Sequence, residues 1–516
     1  MSQTPIGSKA SEHDERLSAL YSNTTAVRAI ASAVEGTIGP KGLDTMLVDA
    51  AGNVIITNDG VTILHRMEVV HPAAKMLINV ASAQQEEIGD GTTTATLLAA
   101  ALLQEGVGQV ERGVPVTRVI EGVQQGVKYA LERIKSRARA LDGLDREVLY
   151  QVAMVAGREH RDIAELVTEA AHLTGDEKLR SREFRLADCV MAAVGAESEV
   201  FQGLVIDKQR MSPQMPMRVT DARVLIVDDE LEAEELDSEA LGTEAGFLLY
   251  RQYKEQFRAN LERLLSSGVA AVFTDRGVSP VAEEVLGEAG VLIVQRVTSK
   301  DLRKIAEHTG ARPIKRTGLT KGAEELHKFL GLAEVIYEDE RMENIRIVGG
   351  QGKPMATILV GASTEEVVGE RLRIAKDAAS SVQAAVRGGI VPGGGAIELW
   401  ASREVEKMRE TVRGMTGFGV EAVARALRRP MTQIVQNAGF NPLEKVEEVN
   451  VAQIERGSDA LAVDCDDGQV VDMMERCIFD PTSVKLHALQ AAGEVTVAIM
   501  RIHTIIRMKE LSPDEA

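Results

Sequence analysis

Small and apolar residues recur at three- and four-residue spacing from Asn23 to Val34 and from Pro72 to Ile88, which predicts amphipathic helices with one buried face. Between them, TMLVD (Thr45 to Asp49), a turn over Ala50 to Asn53 and VIIT (Val54 to Thr57) predict a β-hairpin. Helical patterning resumes through Leu103 and again from Val116 to Ala140. The middle of the chain reads differently. VLIVD (Val224 to Asp228), AAVFTD (Ala270 to Asp275) and VLIVQ (Val291 to Gln295) are short apolar runs alternating with helical patterns, which predicts an α/β domain. The flanking segments, roughly Gly143 to Asp207 and Ser363 to Gly388, read as mostly helical and polar-faced. Glycines at 388, 389 and 393 to 395, with Pro392 among them, mark hinges. Beyond Gly395 the chain returns to long helices like those at its start, so both ends are expected to build one domain with the α/β unit inserted.

Length and composition narrow this picture. With 516 residues, and ~100 to 200 residues per domain, the chain should hold three or four compact units. Hydrophobic residues at 44 % and charged residues at 27 % are globular values, and no stretch reaches the ~18 to 20 apolar residues of a membrane span. The polar start MSQTPIGSKASEHDER lacks the apolar run of a secretory signal, so a cytoplasmic location is expected. Cys189, Cys465 and Cys477 show no C-x-x-C spacing, which argues against a disulfide framework or a zinc ribbon. A net charge of -19 repels a phosphate backbone and argues against nucleic acid as a partner. Few aromatics (3 %) and 45 glycines suit close helix packing and hinges better than a β-sandwich. The expected class is a multidomain, helix-rich α/β protein.

Among the motifs, EEIGDGTTTATLLAAALL carries the sharpest chemistry. One helix stops at Gly89 and another begins at Thr92, Thr93 and Thr94. Glycines admit close backbone approach, and the N–H groups, hydroxyls and dipole of the new helix's start favour a phosphate. Asp90 stands where it could hold Mg²⁺. Taken alone, the segment is equally a tight turn with threonine capping. A second turn, EGTIGPKGLD (Glu35 to Asp44), spaces Gly36, Gly39 and Gly42 evenly around Lys41. It could wrap a phosphate, but singly it reads as a helix C-cap and turn. No G-x-x-x-x-G-K-[ST] occurs, which disfavours a P-loop ATPase. In ITNDGVTIL, Asp59 and Gly60 follow an apolar strand and read first as a turn. Asp377 falls opposite the stripe Val368, Leu372, Ala375, Ala379, Val382 and Val386. Periodicity makes it a solvated carboxylate paired with Arg373.

Four motifs arrive in one order across nearly the whole chain: GTIGPKG (Gly36 to Gly42), NDGVTIL (Asn58 to Leu64), GDGTTT (Gly89 to Thr94) and VPGGG (Val391 to Gly395). Together they resemble the chaperonins. The resemblance implies an equatorial ATP-binding domain from 1–143 and 389–516, and a helical or mixed intermediate hinge domain from 144–207 and 363–388. An α/β apical substrate-binding domain would occupy 208–362. It implies Thr37, Ile38, Gly39, Lys41 and Gly60 around ATP or ADP, Asp90 on Mg²⁺, and Gly91 and Thr92 to Thr94 on phosphates. Gly394 would lie against base and ribose, and Asp480 of FDPTSVK (Phe479 to Lys485) would contact the ribose. Asp377 becomes catalytic, its helix swinging towards the γ-phosphate on ATP binding, with Asp59 helping to position the attacking water. Arg158 stands where thermosome-like relatives carry a lysine that senses that phosphate.

VIDK (Val205 to Lys208) and MPMRV (Met215 to Val219) look thermosome-like. Phe247, Tyr250, Tyr253 and Phe257 lie at helical spacing within Glu239 to Ser267. By pattern they make a core-facing helix, and by resemblance the helical protrusion that serves thermosome-like chaperonins as a built-in lid, with no separate co-chaperonin. FDPTSVK looks more like the bacterial chaperonins, so the lineage implied is the bacterial (group III) one. The function this implies is an ATPase chaperone that encloses unfolded or partly folded client proteins in two stacked rings of eight identical subunits. A nucleotide-responsive ring scaffold with little turnover and a small-molecule kinase are the alternatives. Phosphate release separates the first from the chaperone, and light scattering of a large ring excludes the second.

Overall fold

The computed structural model describes residues 8–52, 54–234 and 243–505. The chain divides into two compact units. One gathers Met1–Thr168, Leu179–Asp188 and Gly369–Ala516, and the other gathers Glu169–Lys178 and Cys189–Val368. The first opens with α1 (Ser8–Val34), the strands β1 (Thr45–Val48) and β2 (Val54–Thr57), then α2 (Gly60–Arg66), α3 (Pro72–Glu87), α4 (Thr92–Glu111), α5 (Val116–Ser136) and α6 (Arg146–Ala156). Strands β1 and β2 pair antiparallel with Thr45 opposite Thr57. Pro72 suits the first turn of α3, where its missing N–H costs nothing. Asp145 caps α6 by accepting from the N–H groups of Glu147 and Val148. Helix α5 ends at Ser136, short of the expected Ala140, because Arg139 leaves the helix to pair with Ile390.

After α7 (Arg161–Thr174) the second unit follows: β3 (Val190–Val194), β4 (Glu199–Ile206), β5 (Arg218–Val227), α8 (Glu244–Ser266), β6 (Ala271–Thr274), α9 (Pro280–Glu288), β7 (Leu292–Val294), α10 (Ser299–Thr309), β8 (Gly331–Asp339), β9 (Asn344–Gly350) and β10 (Ala356–Ala362). They form one eight-stranded sheet in the order β3-β10-β4-β9-β8-β5-β6-β7. Phe257, Leu261 and Leu264 of α8 pack with Leu286 of α9 against one set of strand residues, while Leu302 and Ile305 of α10 join another. The three apolar runs read from the sequence are the adjacent parallel strands β5, β6 and β7. The segment 143–207, expected to be mostly helical, is helical to Arg180 with a further 3-10 turn over Leu186–Cys189. From Val190 it forms β3 and β4, whose partners are strands β9 and β10 far along the chain. Residues 239–242 of the expected protrusion lie outside the described ones. The remainder is α8, which is not core-facing throughout: Phe257 is buried, but Phe247 and Leu248 are 57 % and 60 % exposed.

The chain re-enters the first unit in α11 (Glu365–Gly388), followed by β11 (Ile390–Pro392), α12 (Ala396–Thr411), α13 (Thr416–Ala426), α14 (Arg429–Asn437), α15 (Pro442–Arg456), β12 (Leu461–Val463), β13 (Val470–Asp472), β14 (Phe479–Pro481) and α16 (Thr482–Met500). The core of this unit joins both ends of the chain: Val34, Leu77, Leu98, Leu102 and Val123 pack with Val420, Ala424, Leu489 and Ala492. Small residues let the helices touch backbone to backbone. A Cβ on Gly122 would lie 2.1 Å from the Thr416 carbonyl, and one on Gly419 2.2 Å from that of Val119.

Candidate functional site

The α3–α4 turn is built by two left-handed glycines, Gly89 at φ 86° and Gly91 at φ 81°, a conformation that costs other residues about 1 to 2 kcal/mol. Gly91 is the N-cap of α4, so Thr92, Thr93 and Thr94 form its first turn, where N–H groups have no intrahelical partner. Asp90 lies between the glycines. Its Oδ1 accepts from the Gly91 N–H at 2.6 Å and its Oδ2 accepts from the Ser381 hydroxyl. Helix α11 sits close over the turn, since a Cβ on Gly89 would come 2.3 Å from Ser380 Oγ.

Two further segments meet this helix start. Asp59 is the N-cap of α2, its carboxylate accepting from the Val61 and Thr62 N–H groups at 3.3 and 3.1 Å. It is therefore a helix cap and not part of a β-turn, because helical residues follow at once from Gly60. Gly60 has no room for a side chain, as a Cβ would lie 2.5 Å from Thr93 Oγ1. Thr37 Oγ1 is 3.4 Å from Thr93 Oγ1. Ile38 follows, its carbonyl accepting from Asn437 Nδ2 at 2.9 Å. Gly39, at φ 87°, faces Ile434. Lys41 is exposed, with its ammonium 2.6 Å from Asp466.

Asp377 departs from its sequence reading. It is half-buried, and its expected partner Arg373 is engaged by Glu370 at 2.6 Å. The carboxyl of Asp377 is held well above the ordinary carboxylate range by loss of hydration, then by the charges of Asp90 and Asp59, with Arg158 opposing. Asp90 is raised too, chiefly by loss of hydration and partly by Asp480, against the pull of Ser381, Gly91 and Lys485. The charges of Asp90, in the α3–α4 turn, and of Asp59, at the start of α2, thus both reach Asp377 of α11. Arg158 adopts φ 54° and lies 3.3 Å from Glu370. Asp480, on β14 opposite Val391 of β11, is 2.7 Å from Lys485. Lys485 is buried, yet Asp480 and Glu398 outweigh that burial and raise its pKa. Gly394, at φ 63°, packs near Met473 and Ala462.

The structure therefore brings Thr37, Asp59, Gly60, Asp90, Thr93, Arg158 and Asp377 within contact or electrostatic reach of one another, with Asp480 beside them through Lys485. Lys41 is turned to Asp466, although Glu159, next to Arg158, also acts on its charge. Ser381, Glu370, Lys485, Glu398 and Gln84 do not stand out from sequence. The nearest signal is Ser380-Ser381 on an apolar helix face. Among the described residues no group of three His, Cys, Asp or Glu side chains is placed to hold a metal unaided. A depression of about 680 Å³ lined by Arg456, Asp472 and Arg476 contains none of the three carboxylates. The convergence of charge outweighs that hollow as the marker of the site.

A thermosome subunit of Methanocaldococcus jannaschii is 35 % identical over 96 % of this chain and 93 % of its own length. A thermosome beta subunit of Aeropyrum pernix is 36 % identical over 95 % and 91 %. A crystal structure of a group III chaperonin in the open state matches with a TM-score of 0.85 at 43 % identity, over 96 % of this chain and 100 % of that one. The description of the TCP-1/cpn60 chaperonin family matches residues 30–510, and the chain belongs to that family.

Proposed function

We infer that this thermosome-like, ATP-dependent chaperone hydrolyses ATP at the start of α4, with Asp90 holding Mg²⁺ and with Asp59 and Asp377 orienting the attacking water. The observation that carries this reading is the meeting of three carboxylates from distant segments beside an anion-accepting helix start. Carboxylates crowd in this way where a cation and a polarised water are to be held. Mg²⁺ typically takes one or two carboxylates and completes its shell with phosphate oxygens and water, which a single Asp90 suits. Bound there, it would supply charge neutralisation for the phosphate oxygens.

The chain's own groups do the rest. The N–H groups and hydroxyls of Thr92 to Thr94 bind phosphate, and Thr37, Ile38, Gly39 and Gly60 wall the same place. Asp59, fixed by its capping bonds, and Asp377 accept hydrogen bonds from the water and aim it. Arg158 supplies a positive charge towards the γ-phosphate. Asp480 contacts the ribose and Gly394 the base. At the level of assembly, the reading is two stacked rings of eight subunits around unfolded clients, in the cytoplasm. The exposed half of α8 contributes the built-in lid in place of a co-chaperonin.

Family membership sets the small-molecule kinase aside, and a phosphate-release assay decides between turnover and a passive scaffold. Asp377→Ala is expected to assemble and bind ATP but to lose about 10²- to 10⁴-fold in rate. Undiminished turnover in that variant refutes the assignment.

A further inference from the structure

A buried run of hydrogen bonds reaches the α3–α4 turn from behind. Gln84, in α3, is fully buried. Its Nε2 donates to the Asp90 carbonyl at 2.7 Å and to the Val484 carbonyl at 3.3 Å, and its Oε1 lies 2.6 Å from His487 Nδ1. Two carbonyl oxygens can be satisfied only by a donor, which fixes the orientation of the amide. Oε1 therefore faces the ring, and His487 Nδ1 carries the hydrogen. Imidazolium keeps that hydrogen as well, so the bond persists in both charge states. The main-chain carbonyl of Gln84 accepts from the N–H groups of Ile88 and Gly89 at 3.0 and 3.1 Å. One residue thus both ends α3 and grips the next turn.

We propose that Gln84 and His487 are positioning residues that aim Asp90 at its Mg²⁺. The Asp90–Gly91 peptide is held on both edges: its carbonyl by Gln84, and its N–H by the Asp90 carboxylate itself. A planar trans peptide cannot turn without losing both bonds. The Asp90 carboxylate, tied to that peptide and to Ser381, keeps its direction because Gln84 keeps the peptide's. His487 acts one step further back, by allowing the Gln84 amide one orientation. This proposal rests on the ATPase reading above.

The test uses the assembled, full-length protein. Gln84→Leu removes both donors at similar volume. His487→Phe removes only the hydrogen that orients the amide, and His487→Asn places an amide nitrogen near the position of Nδ1. In nucleotide-free protein, hydrogen exchange over residues 89–94 should quicken about 5- to 10-fold in Gln84→Leu and His487→Phe and return to wild-type rates in His487→Asn. In steady-state hydrolysis the Mg²⁺ midpoint should rise about 10- to 100-fold in the first two variants, with the KM for ATP shifting by less than about threefold. Wild-type exchange and a wild-type Mg²⁺ midpoint in Gln84→Leu overturn the proposal. If that variant does not assemble, the His487 pair decides the matter, and a Phe variant indistinguishable from Asn overturns the proposal. A wild-type protein without Mg²⁺-dependent hydrolysis instead overturns the ATPase reading, while exchange still decides whether Gln84 braces the turn.

Discussion

The glycines bounding α4 allow the close approach at the site to be measured against an internal control. Gly91 and Gly113 both have left-handed backbones, at φ 81° and 92°, so alanine at either incurs about 1 to 2 kcal/mol of conformational cost. Their surroundings differ. Nothing lies within 4 Å of a Cβ on Gly113, whereas one on Gly91 would meet Val484 Cγ1 at 2.5 Å and Gln84 Nε2 at 3.2 Å. Val484 is 5 % exposed and has nowhere to withdraw, so overpacking adds about 1 to 3 kcal/mol. Gly113→Ala should thus lose about 1 to 2 kcal/mol and Gly91→Ala about 2 to 5 kcal/mol. Trp400, the chain's only tryptophan, is buried in the core of the first unit. Its fluorescence during urea denaturation therefore reports on the unit that contains both glycines, and the midpoint difference times the common slope gives the difference in stability. ATP affinity should fall in Gly91→Ala alone. Equal destabilisation by the two substitutions, or intact ATP binding in Gly91→Ala, refutes the close-packed turn as the ligand-holding element.

Asp377 makes a prediction whose sign is unusual for a carboxylate. Its folded pKa is raised by lost hydration and by Asp90 and Asp59, while unfolded it ionises near pH 3.9. The folded state therefore holds the extra proton, and stability falls as pH rises from about 3.9 through the folded value. Asp377→Asn should accordingly be more stable than wild type at pH 7 without Mg²⁺, and the advantage should vanish below about pH 4. Matching Trp400 unfolding midpoints at pH 7 would contradict this. Glu370 binds Arg158 at 3.3 Å and Arg373 at 2.6 Å, drawing the Arg158 charge away from the carboxylates. For a part-exposed pair worth at most about 1 kcal/mol, Glu370→Gln should sharpen discrimination of ATP over ADP about 2- to 5-fold, and equilibrium binding of the two nucleotides gives the answer.

How far the sequence reveals this arrangement depends on whether a feature is local. The β1–β2 hairpin, the strands β5 to β7 and the Gly89 to Thr94 turn are legible because alternation, apolar runs and glycine placement act within a few residues. Asp377 misleads because a single apolar stripe assumes a single packed face. Helix α11 instead buries Ile374, Ala378, Ser381 and Gln383 as well as Ala375, Ala379, Val382 and Val386 of that stripe, which leaves Asp377 only half solvated. Asp59 reads as a turn because Asp-Gly signals one, whereas the helical run from Gly60 to Arg66 recruits the same carboxylate as a cap. Strands β3 and β4 escape a sequence reading because they are weak in alternation and their partners come from β9 and β10.

The distinction between a capping turn and a metal-holding one is of the second, non-local kind. Within its own segment, Asp90 has only the Gly91 N–H to orient it, which any capping turn would supply. Its other oxygen is fixed by Ser381, 291 residues on, and its peptide by Gln84, whose amide is set by His487, 403 residues from Gln84. Local pattern can therefore mark where phosphate would bind, but the direction of the carboxylate is decided by α11 and α16. The site becomes specific only when both ends of the chain have packed together, which ties the geometry of Asp90 to the same helix packing that builds the first unit.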